Sequence, residues 1–189
     1  KFYGPKGIGA LYIDSKSKDK IKSQIDGGGH EHGYRSGTLN VPAIVGMGKA
    51  AELAKSRMKS DQKHTRFLRN KLLDGLKENI DGITINGNME HRLPNNLNVS
   101  FSGVDGDSLL INIDDVAVSN GAACSSSEKA PSYVLRSIGI EEKLANASIR
   151  FGVGRDNTLD EINYTIKKLK QVVEDLRSIE ELKSEMSLS

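Results

Sequence analysis

The chain has 189 residues, of which 37% are hydrophobic and 28% are charged, a composition typical of a soluble globular protein with one large domain or two small ones. The 27 basic and 25 acidic residues are well mixed and leave a net charge of +2, which argues against nucleic acid as the main partner. No apolar run approaches the roughly 20 residues that span a bilayer, so we expect no membrane partner.

The first part of the chain is predicted to form a strand, a loop and a long helix. Residues 8–13 are an apolar run after a Gly/Pro turn, which is typical of a buried strand. Residues 26–38 contain five glycines, two histidines and one arginine, and therefore predict a long loop that is either functional or mobile. Pro42 and apolar residues at three- and four-residue spacing predict helix over roughly 42–79, with a bend near Ser60 and Asp61.

The remainder alternates between strand and helix patterns, which predicts an α/β chain whose second half is a two-layer sheet-plus-helix domain. Period-two alternation and short apolar runs predict strands at 83–85, 97–101, 116–118 and 148–153. Helical patterns predict helices at 106–113, at 131–138 with Gly139 as the stop, and from Thr158 onwards. Thr158 and Glu161 form a capping box for the last helix, whose tail beyond Leu182 is expected to fray.

Lys1 stands directly before the turn Phe2-Tyr3-Gly4-Pro5-Lys6-Gly7. A lysine that bonds to a cofactor must be held in a fixed position, which a tight Gly/Pro turn can provide. On these residues alone, Lys1 is a candidate cofactor lysine or an ordinary exposed lysine. Because the chain starts with Lys1 rather than methionine and no element precedes the turn, we expect it to be part of a longer polypeptide.

The glycine-rich segment from Gly27 to Thr38 has the composition of an anion-binding loop. Glycines let backbone amides approach an anion closely, and Arg35, Ser36 and Thr38 add donors. The spacing matches neither a Walker loop nor a dinucleotide fingerprint, and a flexible loop without function is the alternative. His30 and His32 have no third ligand near them, so we expect no metal site.

Two further residues are candidates for chemistry. Cys124 is the single cysteine, which excludes an internal disulfide and suggests a reducing compartment. It lies among small polar residues, unlike most buried cysteines, and is therefore either a reactive thiol or an incidental one. Arg150 lies in the middle of an apolar strand and must reach solvent or an anion. Either a substrate carboxylate or a structural ion pair would satisfy Arg150.

Together and in this order, these motifs resemble those of the class V, fold-type I cysteine desulfurases of the iron–sulfur-cluster type. The cofactor-lysine motif of that family is matched from Lys1 to Gly7, and its glycine-rich loop from Gly27 to Thr38. Its remaining motifs are matched by the cysteine loop at Ser119, Gly121, Ala123 and Cys124, by Pro131 to Arg136, and by Ser148 to Phe151. The match covers nearly the whole chain.

The resemblance implies an enzyme that uses pyridoxal 5'-phosphate to convert L-cysteine to L-alanine and leaves the sulfur on Cys124 as a persulfide. Lys1 would hold the cofactor covalently and later move protons, and Thr38 would reach the cofactor phosphate of the partner subunit in a homodimer. Arg150 would bind the substrate carboxylate. The persulfide would pass to an iron–sulfur scaffold or a thiolation partner. No resident metal is implied, although Cys124 is a candidate transient iron–sulfur ligand.

The fold of that family implies that residues 1–57 end the large cofactor-binding domain. Residues 58–189 would be the small α+β C-terminal domain that carries the cysteine loop. Most of the family's cofactor pocket precedes its cofactor lysine. We therefore expect the 189-residue chain alone to bind the cofactor weakly and to be inactive without an N-terminal part.

Two alternative functions are kept open. The chain could be a non-catalytic fragment that acts as a sulfur carrier or an interaction module. It could also belong to a selenocysteine lyase, since these residues do not distinguish sulfur from selenium. A class V aminotransferase is disfavoured because such an enzyme has no need of Cys124. A cytoplasmic location is expected in each case.

Overall fold

The computed structural model describes residues 1–120 and 132–187. The chain separates into two compact units, Lys1–Lys59 and Ser60–Ser189. Its described elements are the helices α1 (Val41–Asn79), α2 (Gly106–Asn112), α3 (Tyr133–Ser137), α4 (Glu142–Asn146) and α5 (Leu159–Ser187), the strands β1 (Ile83–Ile85), β2 (Asn96–Phe101) and β3 (Ser148–Gly152), and two 3-10 turns at Ser15–Lys20 and Glu31–Gly33. The predicted mixture of helix and sheet is confirmed.

The first unit is mostly irregular backbone followed by the start of α1. The predicted strand at 8–13 is wrong: these residues form no strand, and Leu11 and Tyr12 are 74% and 87% exposed. An apolar run becomes a strand only when a neighbouring strand satisfies its backbone groups, and no described residue pairs with this one. The predicted helix is confirmed, with Pro42 in its first turn.

The core of the second unit lies between one face of a small sheet and two long helices. The sheet is antiparallel with the order β1-β2-β3, and Val99 at its centre pairs with Ile85 and with Ile149. Alternate residues of β2 and β3 point inward because successive side chains of a strand face opposite sides. The largest fully buried apolar side chains on these two strands and on the two long helices are Leu97, Val99, Phe101, Ile149, Leu68, Leu72, Leu76, Leu169 and Val173.

The start of α5 is fixed by the predicted capping box. The Thr158 N–H donates to Oε2 of Glu161 at 2.9 Å, and the Glu161 N–H donates to the Thr158 hydroxyl at 3.3 Å. These bonds, together with one from Asn157, lower the pKa of Glu161; the bond from Asn157 is the largest cause. α5 continues to Ser187, and the expected fraying beyond Leu182 stays a prediction.

Two other predictions in the second unit need correction. Residues 116–118 form no strand, and only the neighbouring Ser119 makes a single bridge to Arg150. The short helix α4 was not predicted, because five residues are too few for a helical period to be recognised. In the described part of the chain, no helix has the length and apolar character needed to cross a membrane.

Candidate active site

Lys1 precedes a turn that packs onto α1 within the first unit. Tyr3 and Gly7 both have positive φ angles, 64° and 85°, so the chain reverses sharply just after Lys1. Gly46 of α1 makes room for this turn, since a Cβ added there would lie 3.1 Å from Cγ of Pro5. The Lys1 side chain is exposed. The turn therefore constrains the backbone next to Lys1, and the Lys1 side chain remains exposed.

The glycine-rich loop is closed by its own hydrogen bonds. Ser36 is 5% exposed, its N–H donates to the Ile25 carbonyl at 3.0 Å, and its hydroxyl accepts from the Gly29 N–H at 3.2 Å. The Gly37 N–H donates to Nδ1 of His30 at 3.3 Å. Gly29 and Gly37 have φ angles of 73° and 110°, which glycine adopts without the steric cost of a Cβ.

This loop ends on the exposed residue Thr38, whose side chain makes no hydrogen bond to any residue that the structure describes. The loop thus presents a free hydroxyl at a fixed point of the backbone. Within residues 1–120 and 132–187 there is no group of three or more His, Cys, Asp or Glu side chains suited to hold a metal ion.

Arg150 lies on the outer face of β3 in the second unit. Its neighbours Ile149 and Phe151 are buried, whereas Arg150 is exposed. Its side chain makes no ion pair with any carboxylate of the described residues, so the structural ion pair considered from the sequence is absent there. A guanidinium held on a strand and left accessible can take a carboxylate through two parallel hydrogen bonds.

The strand that carries Arg150 is also held by a buried polar network around Ser148, which lies two residues before Arg150 and on the same face of the sheet. The hydroxyls of Ser100 and Ser148 are 2.7 Å apart, and Nδ2 of Asn86 donates to Ser100 at 2.7 Å. The Ser148 hydroxyl also donates to the Leu144 carbonyl at 2.9 Å. Nδ2 of Asn86 also donates to the Ser148 hydroxyl at 3.3 Å, whereas its Oδ1 has no hydrogen-bond partner among the described residues, so the network is only partly satisfied. Its bonds still connect β3 with β2, with Asn86 and with α4, and they favour one register of β3.

Arg150 is joined through its backbone to the segment that leads towards the cysteine loop. The Arg150 N–H donates to the Ser119 carbonyl at 2.6 Å. Cys124 itself, with residues 121–131, lies outside the described residues. The structure thus brings Arg150 together with Ser119, which precedes Cys124 by five positions. Lys1 and Thr38 both belong to the first unit, and Arg150 to the second.

A second group of side chains, which was not predicted from the sequence, contacts the same segment at Asp115, four residues before Ser119. The hydroxyl of Tyr164 on α5 donates a short hydrogen bond to Oδ2 of Asp115, and Nζ of Lys168 lies 3.4 Å from Oδ1 of Asp115. The bond from Tyr164, followed by the charge of Lys168, lowers the pKa of Asp115; the same bond raises the pKa of Tyr164. In the sequence, the signal that could have drawn attention to Asp115 is the pair Asp114-Asp115 directly before an apolar run.

A cavity of about 540 Å³ lies beside this segment. Its walls come from residues 115–118, from the end of β3 and from the first turns of α5. Phe151, Val153 and Ile162 make its surface largely apolar. Val116 and Val118 border this cavity and are partly buried, and Val118 packs against the core.

Comparison with known proteins places the chain in a family. The family model described as aminotransferase class V matches residues 1–165. The chain belongs to the class-V aminotransferase family. Its resemblance to cysteine desulfurases is also confirmed: it is 51% identical over 182 residues to cysteine desulfurase IscS of Anaeromyxobacter dehalogenans, covering 96% of this chain and 45% of that protein. The chain therefore spans less than half the length of this curated class-V relative.

Solved class-V structures agree with this assignment. A NifS-like protein is 36% identical, with a TM-score of 0.79 over 93% of this chain and 44% of its own. A structure described as SspA in complex with cysteine is 30% identical, with a TM-score of 0.60 over 83% of this chain and 42% of its own. The fold described above is thus a part of this known class-V fold.

Proposed function

We propose that this chain is the part of a pyridoxal-phosphate-dependent cysteine desulfurase that carries the cofactor lysine, the substrate-binding arginine and the sulfur-accepting cysteine. The 51% identity to cysteine desulfurase IscS over 96% of this chain is the observation that carries the proposal. The backbone hydrogen bond between Arg150 and Ser119 supports it, because it links the strand that carries an exposed guanidinium to the segment that leads to Cys124.

The described residues fit the part of the cofactor chemistry that falls on this chain. An exposed amine at Lys1, next to a rigid turn, suits covalent attachment to an aldehyde. The free hydroxyl of Thr38 on a closed, glycine-rich loop suits a phosphate oxygen. We assign Thr38 to the cofactor phosphate of the partner subunit in a homodimer. When bound, pyridoxal phosphate supplies an electron sink for the carbon atoms of the substrate.

In the proposed mechanism, three residues of this chain have defined roles. Arg150 binds the carboxylate of L-cysteine and thereby fixes the orientation of its sulfur. Lys1 would hold the cofactor through its amine and would carry protons at that nitrogen. Cys124, as the thiolate, attacks the sulfur of the substrate.

The sulfur transfer balances without an external oxidant. A sulfur–sulfur bond forms at Cys124 while the bond between sulfur and Cβ of the substrate breaks. The electron pair of the broken bond goes to that carbon, which takes a proton and becomes the methyl group of alanine. Cys124 is left as a persulfide, whose outer sulfur can pass to an acceptor protein.

The remaining parts of the proposal concern the whole protein. We infer that residues 1–57 end the large cofactor-binding domain, that residues 58–189 form the small domain, and that the rest of the cofactor pocket is supplied by the sequence that the relatives have beyond this chain. An iron–sulfur scaffold protein is the proposed sulfur acceptor. The unpaired thiol of Cys124 suits a reducing compartment such as the cytoplasm.

The proposal is tested by alanine release from L-cysteine, measured with the intact enzyme, meaning the complete polypeptide that contains this chain. We expect Cys124→Ala to keep the cofactor absorbance and to lose alanine release. Arg150→Gln should raise KM for L-cysteine while the cofactor absorbance is unchanged, because only the substrate carboxylate loses its partner.

Lys143→Gln is a suitable control for Arg150→Gln, because it removes an exposed positive charge from α4 in the same unit. We expect its KM to equal that of the wild type. Alanine release by Cys124→Ala at the wild-type rate would remove the cysteine from the mechanism and contradict the proposed function.

A further inference from the structure

Asn98 on β2 lies directly opposite Arg150 on β3 in the antiparallel register of the sheet. The Arg150 N–H donates to the Ser119 carbonyl at 2.6 Å, on the side of β3 that faces away from β2. The Asn98 carbonyl accepts from the Asn86 N–H at 2.9 Å, on the side of β2 that faces away from β3. Asn98 and Arg150 are therefore a non-hydrogen-bonded pair, in which the Cα atoms are about 4.5 Å apart and the side chains are close.

The next pair along the same face shows how closely such side chains approach each other. Ser100 and Ser148 are partners two positions further along the two strands, and their hydroxyl oxygens are 2.7 Å apart. Residues two apart on a strand share a face of the sheet. The side chains of Asn98 and Arg150 are therefore neighbours on the face that carries the guanidinium.

The amide of Asn98 is oriented by a hydrogen bond to its oxygen. Its Oδ1 accepts from Nδ2 of Asn86 at 2.7 Å, and Asn86 is only 3% exposed. Asn98 itself is half-buried, and its Nδ2 makes no hydrogen bond to any residue that the structure describes. Because Asn86 holds the oxygen, the two N–H donors of Nδ2 are directed away from Asn86.

Two donor groups that lack an acceptor among the described residues thus lie next to each other. The Arg150 guanidinium and the Nδ2 group of Asn98 can only donate, so neither group satisfies the other. Arg150 forms no ion pair with a carboxylate of the described residues. A partner for both groups needs several acceptor positions and, beside a guanidinium, a negative charge. A carboxylate has both properties.

We propose that Asn98 is a second substrate-binding residue, whose Nδ2 donates to the same carboxylate that Arg150 binds. The proposal rests on the proposed desulfurase function, because it identifies this anion as the carboxylate of L-cysteine. Arg150 supplies the positive charge, and Asn98 adds a neutral donor that Asn86 holds in place. Together they select an amino acid over an analogue whose carboxylate is replaced, since such an analogue leaves these donors without an acceptor.

The test is Asn98→Asp in the intact enzyme. The aspartate keeps an oxygen that accepts from Asn86, but it replaces the donor Nδ2 by a second acceptor and puts a negative charge beside Arg150. We expect KM for L-cysteine to rise about a hundredfold or more, because the new carboxylate pairs with Arg150 and repels that of the substrate. The cofactor absorbance should stay at the wild-type value.

Asn98→Ala removes the donor without adding a charge. We expect KM for L-cysteine to rise about tenfold to a hundredfold, the usual effect of losing a hydrogen bond to a charged group. The change in kcat should be small, because the carboxylate is bound alike before and during the sulfur transfer.

A pair of inhibitors separates recognition of the carboxylate from support of the fold. L-alanine and L-alaninamide share the amine and the methyl group, but only L-alanine has the carboxylate. The wild type should be inhibited more strongly by L-alanine, in competition with L-cysteine. In Asn98→Ala this preference should shrink by about the factor by which KM rises, because both effects arise from one lost hydrogen bond.

Asn96→Ala is the matched control. Asn96 lies on the same face of β2 as Asn98 and is likewise half-buried, but its partner on β3 is Gly152 instead of Arg150. Its KM for L-cysteine and its preference for L-alanine should equal those of the wild type.

A wild-type KM in Asn98→Asp overturns the proposal. An equal loss of affinity for L-alanine and L-alaninamide in Asn98→Ala overturns it as well, because Asn98 would then support the fold and not the carboxylate. A wild-type enzyme that releases no alanine from L-cysteine contradicts the desulfurase function itself, which separates that failure from an error about Asn98.

Discussion

Gly106 begins α2 at a point where only a hydrogen atom fits. A Cβ added there would lie 2.1 Å from the Asn146 carbonyl oxygen and 2.6 Å from its carbon, at the end of α4. Both are backbone atoms, which cannot rotate away. Gly75 in α1 is also crowded, since an added Cβ would lie 2.3 Å from Ile166. There, however, the close atom is the end of a flexible side chain.

These two glycines make a matched pair for mutagenesis. We expect Gly106→Ala to destabilise the protein by about 2 kcal/mol or more, because α2 and α4 must move apart. Gly75→Ala should cost less, since Ile166 can change rotamer and alanine favours a helix over glycine by about 1 kcal/mol. Thermal unfolding of the intact enzyme measures both; equal losses at the two positions would contradict this account of Gly106.

The bond between Tyr164 and Asp115 gives a pH-dependent contribution to stability. The folded state lowers the pKa of Asp115, mainly through the bond from Tyr164. A group with a lowered pKa stabilises the fold above its unfolded pKa, near about 4 for aspartate. That contribution is lost as the pH falls through the folded value.

We therefore expect Tyr164→Phe to have a lower unfolding temperature than the wild type at neutral pH. The difference should be constant above about pH 5 and should shrink once Asp115 becomes protonated at lower pH. Thermal unfolding at a series of pH values measures this. A difference that grows on acidification would show the opposite sign of linkage and refute the role of this bond.

Sequence motifs identified the candidate site residues whose proposed roles are indicated by the residues next to them in the sequence. Lys1 precedes a recognisable turn, Thr38 ends a glycine-rich loop, and Arg150 is a charge inside an apolar strand. Tyr164 and Asp115 are 49 residues apart, and each occupies an ordinary polar position. Only the fold brings them together, so no local pattern could have predicted their contact.

At the scale of elements, the helices were predicted better than the strands. α1 and α5 have a full apolar stripe and recognisable start signals, which depend only on local sequence. The residues at 8–13 and 116–118 have the composition of strands, but within the part of the chain that the structure describes no strand pairs with them. Pairing depends on residues far away in the sequence or outside the chain, so composition alone overpredicts strands.

Arg177 links α5 to one end of the β1–β2 pair, where β1 begins and β2 ends. Its Nη2 donates to the carbonyls of Asp81 and Ser102, each at 2.8 Å, and its Nε donates to Ser102 at 3.0 Å. Asp81 lies just before β1, and Ser102 just after β2. One planar side chain therefore holds two turns against the helix, which the shorter reach of a single ammonium group would not do.

We expect Arg177→Met to destabilise the protein by about 1–3 kcal/mol, because hydrogen bonds from a charged donor are lost and two carbonyls lose their partner. Lys183→Met removes a charge from the same helix that pairs only with Glu180 on the surface. Its cost should stay below about 1 kcal/mol. Chemical denaturation of the intact enzyme compares the two, and equal costs would mean that Arg177 acts as a surface charge alone.

At the scale of the whole molecule, the proposed active site depends on more than this chain. The chain covers 45% of its curated relative, and the proposed cofactor residues here are only Lys1 and Thr38. A cofactor held by one covalent bond and one hydroxyl lacks the contacts that bind most of its surface. The activity therefore belongs to the intact enzyme.

The 189-residue chain alone is accordingly expected to bind pyridoxal phosphate weakly or not at all. Absorbance titration with the cofactor should show no saturable binding at concentrations that saturate the intact enzyme. Stable, stoichiometric binding to the chain alone would contradict the proposed division of the pocket.

The most direct test of the central claim is the mass of the intact enzyme before and after one turnover with L-cysteine. The account predicts a gain of one sulfur atom, located on the peptide that contains Cys124 and removed by a thiol reductant. No gain is expected in Cys124→Ala. An enzyme that releases alanine while Cys124 stays unmodified would contradict the account, because the sulfur would then leave by a route that does not pass through this cysteine.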